Sequence, residues 1–382
     1  MRKNQSKRRK RLRMFFSIVG ITILVMALSM VVFLLFAPQI GAKPEGDRLE
    51  RIRRSPNYSK GNFLNPVKTG MSISFSGIVN SFIEFLFRNN NKIPDQPLPV
   101  VKINKNSLNE PADGKFRIIW LGHSTVLIET GELTLITDPM FSSRPSMFPF
   151  AGPKAFKYEN PVSIDDLPDI DVVLISHDHY DHLDYETIKY LHPKVEIIIT
   201  SLGVGAHLEK WGVPSQKIVE LDWWEETQFR NVTVTAAPAR HFSGRGITDR
   251  MDTLWASWII RNGSNKLFYG GDSGYFSGFE EIGEKYGPFD IAMLECGAYS
   301  IYWQYIHMMP EETAQACIDL KSNILMPIHW GKFSLSLHPW TEPVERLLKK
   351  AAELNVDVAT PVIGESFVPG EILPQRKWWR FQ

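Results

Sequence analysis

Asp171-Val172-Val173-Leu174-Ile175-Ser176-His177-Asp178-His179-Tyr180-Asp181-His182 is the stretch whose reading decides the fold. Its apolar first part predicts a buried strand. Three imidazoles and two carboxylates then fall within the six positions from His177 to His182. Zinc and related divalent ions favour these two ligand types. A strand ending in a tight loop aims such side chains at one point, whereas a helix spreads neighbouring residues around its circumference. The competing reading is a polar surface loop with chance histidines. It is weakened because three of the ten histidines in the chain sit here.

Working outward, three more polar positions each follow a predicted strand. His241 comes after Val232–Ala237, Asp272 after Leu267–Tyr269, and His329 after Ile324–Ile328. Taken singly, each is a weak signal, and a lone histidine after a strand is more often a structural residue. With His177, His179, Asp181 and His182 they make seven candidate ligands, more than one tetrahedral zinc uses. That number suits two metal ions with one carboxylate between them. Further strands are expected at Phe116–Leu121, Thr125–Glu129, Leu133–Thr137, Glu196–Thr200, Trp255–Ile260 and Ile291–Leu294, with helical stretches between. Such alternation predicts a layered α/β domain with sheets inside and helices outside. No glycine-rich phosphate loop is present.

The series His177-x-His179-x-Asp181-His182, His241, Asp272, His329 resembles the metallo-β-lactamase superfamily in residue type and order. The resemblance implies an α/β fold, the αβ/βα four-layer sandwich, with two zinc ions at one edge of two facing sheets. It assigns His177, His179 and His241 to one ion, Asp181, His182 and His329 to the other, and Asp272 to both. Manganese or iron would also suit these donors. Leu121-Gly122-His123-Ser124-Thr125, Thr137-Asp138-Pro139, Gly271-Asp272-Ser273-Gly274-Tyr275 and Ile328-His329-Trp330-Gly331 narrow the likeness. They are similar to the branch containing N-acyl-phosphatidylethanolamine-hydrolysing phospholipase D. The likeness runs from about Arg53 to about Leu348. Related ascorbate-lactonase-like proteins share part of the pattern. Glu295, just before Cys296-Gly297-Ala298-Tyr299, departs from the apolar approach expected there.

The implied chemistry is phosphodiester hydrolysis of N-acyl phosphatidylethanolamine or a related phospholipid. The resemblance implies that two zinc ions would supply Lewis acidity to activate a water near neutral pH, which would attack phosphorus in line with the leaving alkoxide. Asp272 and Asp181 are the expected catalytic carboxylates. His307 is a candidate to assist the leaving group, with helix capping as its structural alternative. His123, Asp178, Glu295 and His338 are candidates to support the ligands or touch substrate; ordinary loop hydrogen bonds explain His123 and Asp178 about as well, pairing with a base is the alternative for Glu295, and His338 is read with Trp340 as a pocket wall. His192 and His207 read as surface residues. Two other functions fit the same motif: a lactone or ester hydrolase, and a non-catalytic, metal-stabilised membrane scaffold. A complete two-metal ligand set argues against the scaffold.

The N-terminus is polarised. Eight basic residues between Arg2 and Arg13 precede an uncharged apolar run from Met14 to Ala37. A bilayer-spanning helix needs about 20 apolar residues. A cleavable signal peptide, the rival reading, usually has an apolar region of about 7–15. The expected organisation is a basic cytoplasmic tail over 1–13, a transmembrane anchor over 14–37, a linker and N-terminal extension over 38–115, a hydrolase domain over 116–370 and a tail over 371–382. The basic cluster predicts a single-pass cell-membrane protein with a cytoplasmic N-terminus and an extracytoplasmic catalytic domain.

Within the extension, the dense apolar stretch from Gly77 to Arg88 is read either as a helix packed on the core or as a lipid-facing one. Phe141, Met147, Phe148 and Phe150, in the loop after Asp138-Pro139, are candidates for lipid contact. The expected partners are a phospholipid or other small-molecule substrate and the bilayer. A net charge of +1 argues against a broad nucleic-acid surface. Two cysteines, Cys296 and Cys317, exclude a disulfide scaffold and read as buried thiols more readily than as a bridge. Oligomeric state is not legible in the sequence.

Overall fold

The computed structural model describes residues 2–70, 75–87, 91–103, 115–131 and 133–381. The chain begins with helix α1 (Arg2–Phe36), then α2 (Gly46–Arg54), a small hairpin of β1 (Tyr58–Ser59) and β2 (Asn62–Phe63), and α3 (Phe75–Phe87). Next come β3 (Arg117–Trp120), β4 (Val126–Glu129), β5 (Thr134–Thr137), β6 (Val172–Ile175), α4 (Tyr185–Leu191), β7 (Ile197–Ser201), α5 (Gly205–Lys210) and β8 (Ile218–Leu221). The second half contains β9 (Glu226–Phe229), β10 (Val232–Ala237), β11 (Ser257–Asn262), β12 (Asn265–Tyr269), α6 (Gly278–Tyr286), β13 (Ile291–Glu295), α7 (Pro310–Asp319), β14 (Ile324–Ile328), α8 (Glu342–Leu354), β15 (Asp357–Val358) and β16 (Ser366–Phe367).

The strands form two seven-stranded sheets, ordered β16-β3-β4-β5-β6-β7-β8 and β15-β14-β13-β12-β11-β10-β9. Strand parity explains how they stack. In β6, Val172 and Leu174 join the core shared by both sheets, together with Val234, Ile260 and Met293. Val173 and Ile175 point the other way, onto Ile188 of α4 and Leu208 of α5. On the second sheet, Phe268, Ala292 and Leu325 pack against α6, α7 and α8 through Phe279, Ala316 and Leu347. Both faces of the central strands are therefore buried, which is why they read as unbroken apolar runs. The result is the four-layer αβ/βα sandwich. Cys296 and Cys317 are free buried thiols in the outer layer of the second sheet.

The segments flanking the sandwich are built into it. Ile52 and Phe63 belong to the central core, and Arg48 of α2 pairs with Glu220 at 2.6 Å and Glu209 at 2.8 Å. Trp378 and Trp379, in the stretch 371–381, are buried there too, with Trp378 stacked on Trp330 at 5.2 Å between ring centroids. Tyr302 Oη donates to Glu84 of α3 at 3.0 Å, while Val79 and Ile83 of the same helix are exposed. Arg88, at the end of the predicted apolar helix, lies outside the described residues. From Lys10 to Leu34, α1 is long and apolar enough to cross a membrane; residues 10–32 are exposed, and Phe33 and Leu34 are half-buried.

Candidate metal centre

The parallel pairs β5-β6 and β12-β13-β14 end at one edge of the sandwich, and the site is assembled from the turns that follow. After β6 the chain turns tightly: the amides of His182 and Leu183 donate to His179 O at 3.0 and 2.8 Å. His241 follows β10, Asp272 follows β12 and His329 follows β14. Three of the turning residues, His123, Asp138 and His329, adopt left-handed φ of 55°, 35° and 64°. Non-glycine side chains rarely accept that region, and it persists only where the surroundings enforce it. At Gly271 the ends of the two sheets nearly touch. A Cβ there would lie 2.8 Å from Ser176 Cβ, at φ +56°.

The seven residues singled out in the sequence converge in overlapping groups. His177, His179 and His241 offer ligand atoms within 4.8 Å of one another, as do His123, Asp181, His182 and His329. His177, His182 and Asp272 form a third such group, and Asp272, Glu295, His307 and His329 a fourth. Asp272 lies between them: its Oδ2 is 3.2 Å from His182 Nε2, 3.0 Å from His329 Nε2 and 3.7 Å from His241 Nε2.

The donor set fits divalent metal. His241 Nδ1 donates to Ile306 O at 2.8 Å, which fixes the tautomer and leaves Nε2 as a lone-pair donor. That Nε2 and His177 Nε2 both face His179 Nδ1, at 3.2 and 2.9 Å. One proton cannot satisfy three converging ring nitrogens, whereas a cation can accept from all of them. His182 Nε2, Asp272 Oδ1 and His329 Nε2 are buried without a hydrogen-bond partner among the described residues.

The electrostatics divide the site. Burial, reinforced by its imidazole neighbours, pushes His177 well below the usual histidine range. Burial also lowers His179 and His241 against the pull of nearby carboxylates. Neutral imidazole is the form that ligates. Burial alone would lower His182 and His329 as well. Asp272 and Asp181, joined by Asp138 at His182, outweigh it, raising His182 well above its ordinary value and His329 to about 10. This half of the site therefore attracts positive charge.

The remaining candidates separate clearly. His123 Nε2 lies 3.0 Å from Asp181 Oδ2. His307 Nδ1 lies 2.6 Å from Oε2 of fully buried Glu295, whose Oε1 accepts from the Met308 amide at 2.7 Å. Burial and then Asp272 hold Glu295 well above the usual carboxylate range. Asp178 points away from the imidazole groups. Its carboxylate is taken by His207 Nε2 at 3.2 Å, Thr253 Oγ1 at 2.8 Å and the Gly244 amide at 2.7 Å. His207 is thus buried rather than on the surface, because Asp178 and the Ala42 amide occupy its two nitrogens. His192 is half-buried. His338 is outside the cluster: its ring stacks on Tyr299 and Nδ1 faces Pro339 O.

In the sequence, Asp138 stands out only as part of the Thr137-Asp138-Pro139 motif that closes a strand. It accepts from the Ser176 amide, Ser176 Oγ and Tyr269 Oη at 2.7, 2.6 and 2.6 Å, and its Oδ2 lies 2.7 Å from His182 Nδ1. The signal for it was the Asp-Pro pair after β5, which carries no mark of orientation.

A cavity of about 370 Å³ opens above the cluster, with His179, Asp181, Asp272, His307 and His329 at its base. Phe242, Tyr302, Trp303, Ile306 and Leu335 supply apolar wall, and Arg250 a cation. Asn65 of the N-terminal extension donates to His241 O at 2.8 Å, and Gly70 lines the cavity, so the extension contributes to the rim.

A four-layer sandwich with imidazole and carboxylate groups converging at one sheet edge defines the class of metallo-hydrolases. Residues 134–330 match the family profile described as the beta-lactamase superfamily domain. The chain belongs to the metallo-β-lactamase superfamily, in the branch of N-acyl-phosphatidylethanolamine-hydrolysing phospholipase D. It is similar to an uncharacterised protein of Mycobacterium tuberculosis, 41% identical over 86% of this chain and 88% of the relative. It is also similar to N-acyl-phosphatidylethanolamine-hydrolyzing phospholipase D 1 of Caenorhabditis elegans, 33% identical over 67% of this chain and 75% of the relative. Among solved structures, a metallo hydrolase of Ignicoccus hospitalis shares the fold, with a TM-score of 0.52 and 18% identity over 66% of this chain and 98% of that one.

Proposed function

We propose that this chain is a membrane-anchored binuclear zinc hydrolase that cleaves N-acyl phosphatidylethanolamine, or a related phospholipid, as a phospholipase D does. The observation that carries this reading is the convergence of seven imidazole and carboxylate side chains at the base of an aromatic-walled cavity. The name of the Caenorhabditis elegans relative supports the substrate class. In this reading the basic residues before Met14 stay in the cytoplasm, α1 crosses the bilayer, and the hydrolase domain, residues 116–370, faces the other side.

His177, His179 and His241 would hold one ion, and Asp181, His182 and His329 the other, with Asp272 serving both. Zinc suits these donors. Bound there, divalent ions supply Lewis acidity, which activates water near neutral pH and offsets charge on phosphoryl oxygens. The chain's own groups orient the reaction. Ile306 O and Asp138 set the rings of His241 and His182. Arg250, with its guanidinium 4.8 Å over the Phe242 ring, offers a cation for the phosphodiester at the cavity wall. Glu295 engages His307 Nδ1, so Nε2 is the nitrogen left to hydrogen-bond the leaving oxygen. The apolar wall takes acyl chain and excludes water.

The test is product analysis. Full-length zinc-loaded protein is given N-acyl phosphatidylethanolamine and a simple lactone side by side, and products are read by mass spectrometry. Phosphatidate with N-acylethanolamine is expected; opened lactone with intact phospholipid would overturn the substrate assignment. In the same assay His307→Gln should lower kcat about 100-fold, the low end for a group that handles a proton in the transition state. Its metal content should be unchanged. An unaltered kcat would remove His307 from the mechanism.

A further inference from the structure

A second cavity, of about 170 Å³, lies beside the end of α1 and is distinct in its lining from the catalytic one. The loop 141–150 separates the two: Pro145 faces the catalytic cavity, while Ser142, Ser143, Arg144, Ser146 and Pro149 face the second. Opposite stand Tyr180, Tyr185, Glu186 and Arg245. Arg245 is 2% exposed, and three of its donors are used: Nε on Gln39 O at 2.9 Å, and Nη1 on Asp178 O and Leu183 O at 2.6 and 2.8 Å. Its Nη2 is buried and has no partner among the described residues. An unmet guanidinium donor in a protein interior is costly, and an anionic oxygen relieves it.

We propose that this cavity is a headgroup site for a zwitterionic phospholipid of the leaflet at which α1 ends, with the phosphodiester toward Arg245 and Arg144 and the amine toward Glu186. Charge selects this occupant. The lining carries two arginines and two carboxylates, Asp184 and Glu186, and so balances a zwitterion better than a purely anionic group. Asp184 is already committed: Ser142 Oγ and N donate to it at 2.8 and 2.9 Å, and so does Thr187 Oγ1. Glu186 is exposed at the edge.

Position selects a lipid over a soluble phosphate. The apolar stretch of α1 ends at Leu34, and Gln39 lines the cavity. Gln39 Nε2 donates to Met147 O at 3.2 Å, and Phe33 stacks on Phe148 with ring centroids 4.9 Å apart. The cavity wall is therefore held at the level where headgroups of that leaflet lie, and Phe150, 76% exposed, extends from the same loop. The inference rests on α1 spanning the bilayer and not on the hydrolytic chemistry.

The test uses full-length protein in phosphatidylcholine-free nanodiscs containing a phosphatidylethanolamine with a diazirine near the glycerol end of one acyl chain. Cross-links are mapped by residue. Labelling at Tyr185 and Glu186, which line this cavity and not the catalytic one, is expected, and it should fall about tenfold in Arg144→Glu, the loss of one charge-assisted hydrogen bond. Ser143→Glu, a change at an exposed loop position, should act in the same direction if Arg144→Glu fails to fold. Labelling confined to residues 298–307 would assign the lipid to the catalytic cavity alone and overturn the proposal. Competition by soluble phosphoethanolamine or inorganic phosphate at concentrations matching the lipid would overturn the lipid source. Equal labelling by the corresponding phosphatidylglycerol probe would overturn the zwitterion.

Discussion

Asp272→Asn is expected to lower turnover by about 1000-fold or more, the scale of losing a preorganised charged group that acts in the transition state. The side chain keeps its shape, so the fold should survive. What changes is charge. Asp272 Oδ2 faces the Nε2 atoms of His182, His329 and His241, and Oδ1 is buried without a partner among the described residues. Among the described residues, Asp272 is the one carboxylate that belongs to more than one of the candidate ligand groups. An amide in its place turns an N–H toward imidazole nitrogens or toward cations. Metal content should fall below two ions per chain by atomic emission, while circular dichroism in the far ultraviolet stays unchanged. A folded variant with wild-type turnover would remove Asp272 from the role proposed for it.

Asp138→Ala should destabilise the protein by about 3–5 kcal/mol, because a buried acceptor of several hydrogen bonds disappears and each orphaned donor costs about 1–3 kcal/mol. Ser176 N loses its partner, Tyr269 Oη keeps only Ser124 O and Ser176 Oγ only His177 Nδ1, and His182 loses the oxygen beside its Nδ1. The backbone adds to the loss. At φ 35° an aspartate finds local hydrogen bonds that alanine lacks. Freed from Asp138, the His182 ring is no longer fixed, so metal affinity should fall about 10–100-fold. Chemical denaturation in detergent reads the first effect and metal titration of the surviving folded protein the second. Wild-type values in both would show that Asp138 holds neither the turn nor the ring.

Some parts of this architecture were legible in the sequence for identifiable reasons. Strand β14 was bounded as found, Ile324–Ile328, because it is buried on both faces and needs no alternation to be seen. The run from Val172 to His182 combined such a strand with a ligand-dense turn. Strand β11 starts at Ser257, two residues after the predicted Trp255, because the Ala256 amide is spent on Ser176 O of the other sheet. No sequence pattern reveals that crossing. Strands β8 and β9 were not anticipated: they are short, and β9 is a half-exposed edge whose Glu226 and Gln228 resemble a loop. His207 was misjudged because its burial depends on Ala42, which is 165 positions away in sequence. The pairing of Glu295 with His307 likewise joins a strand end to a later loop, so the unexpected acid could be noticed but not explained.

The place of the last residues has a consequence for biosynthesis. Strand β16 closes the edge of the first sheet against β3, and Trp378 and Trp379 fill the core beside Trp120 and Trp330. A nascent chain emerging from its N-terminus has the motif turn and both sheets nearly complete while that corner of the interior still lies open to water. Cooperative closure must wait for residues 366–379 to clear the ribosome and, if the domain is exported, the translocation channel. A chain stopped ten residues short of Trp378 would carry every candidate metal ligand and still present a face for chaperones or proteases to recognise.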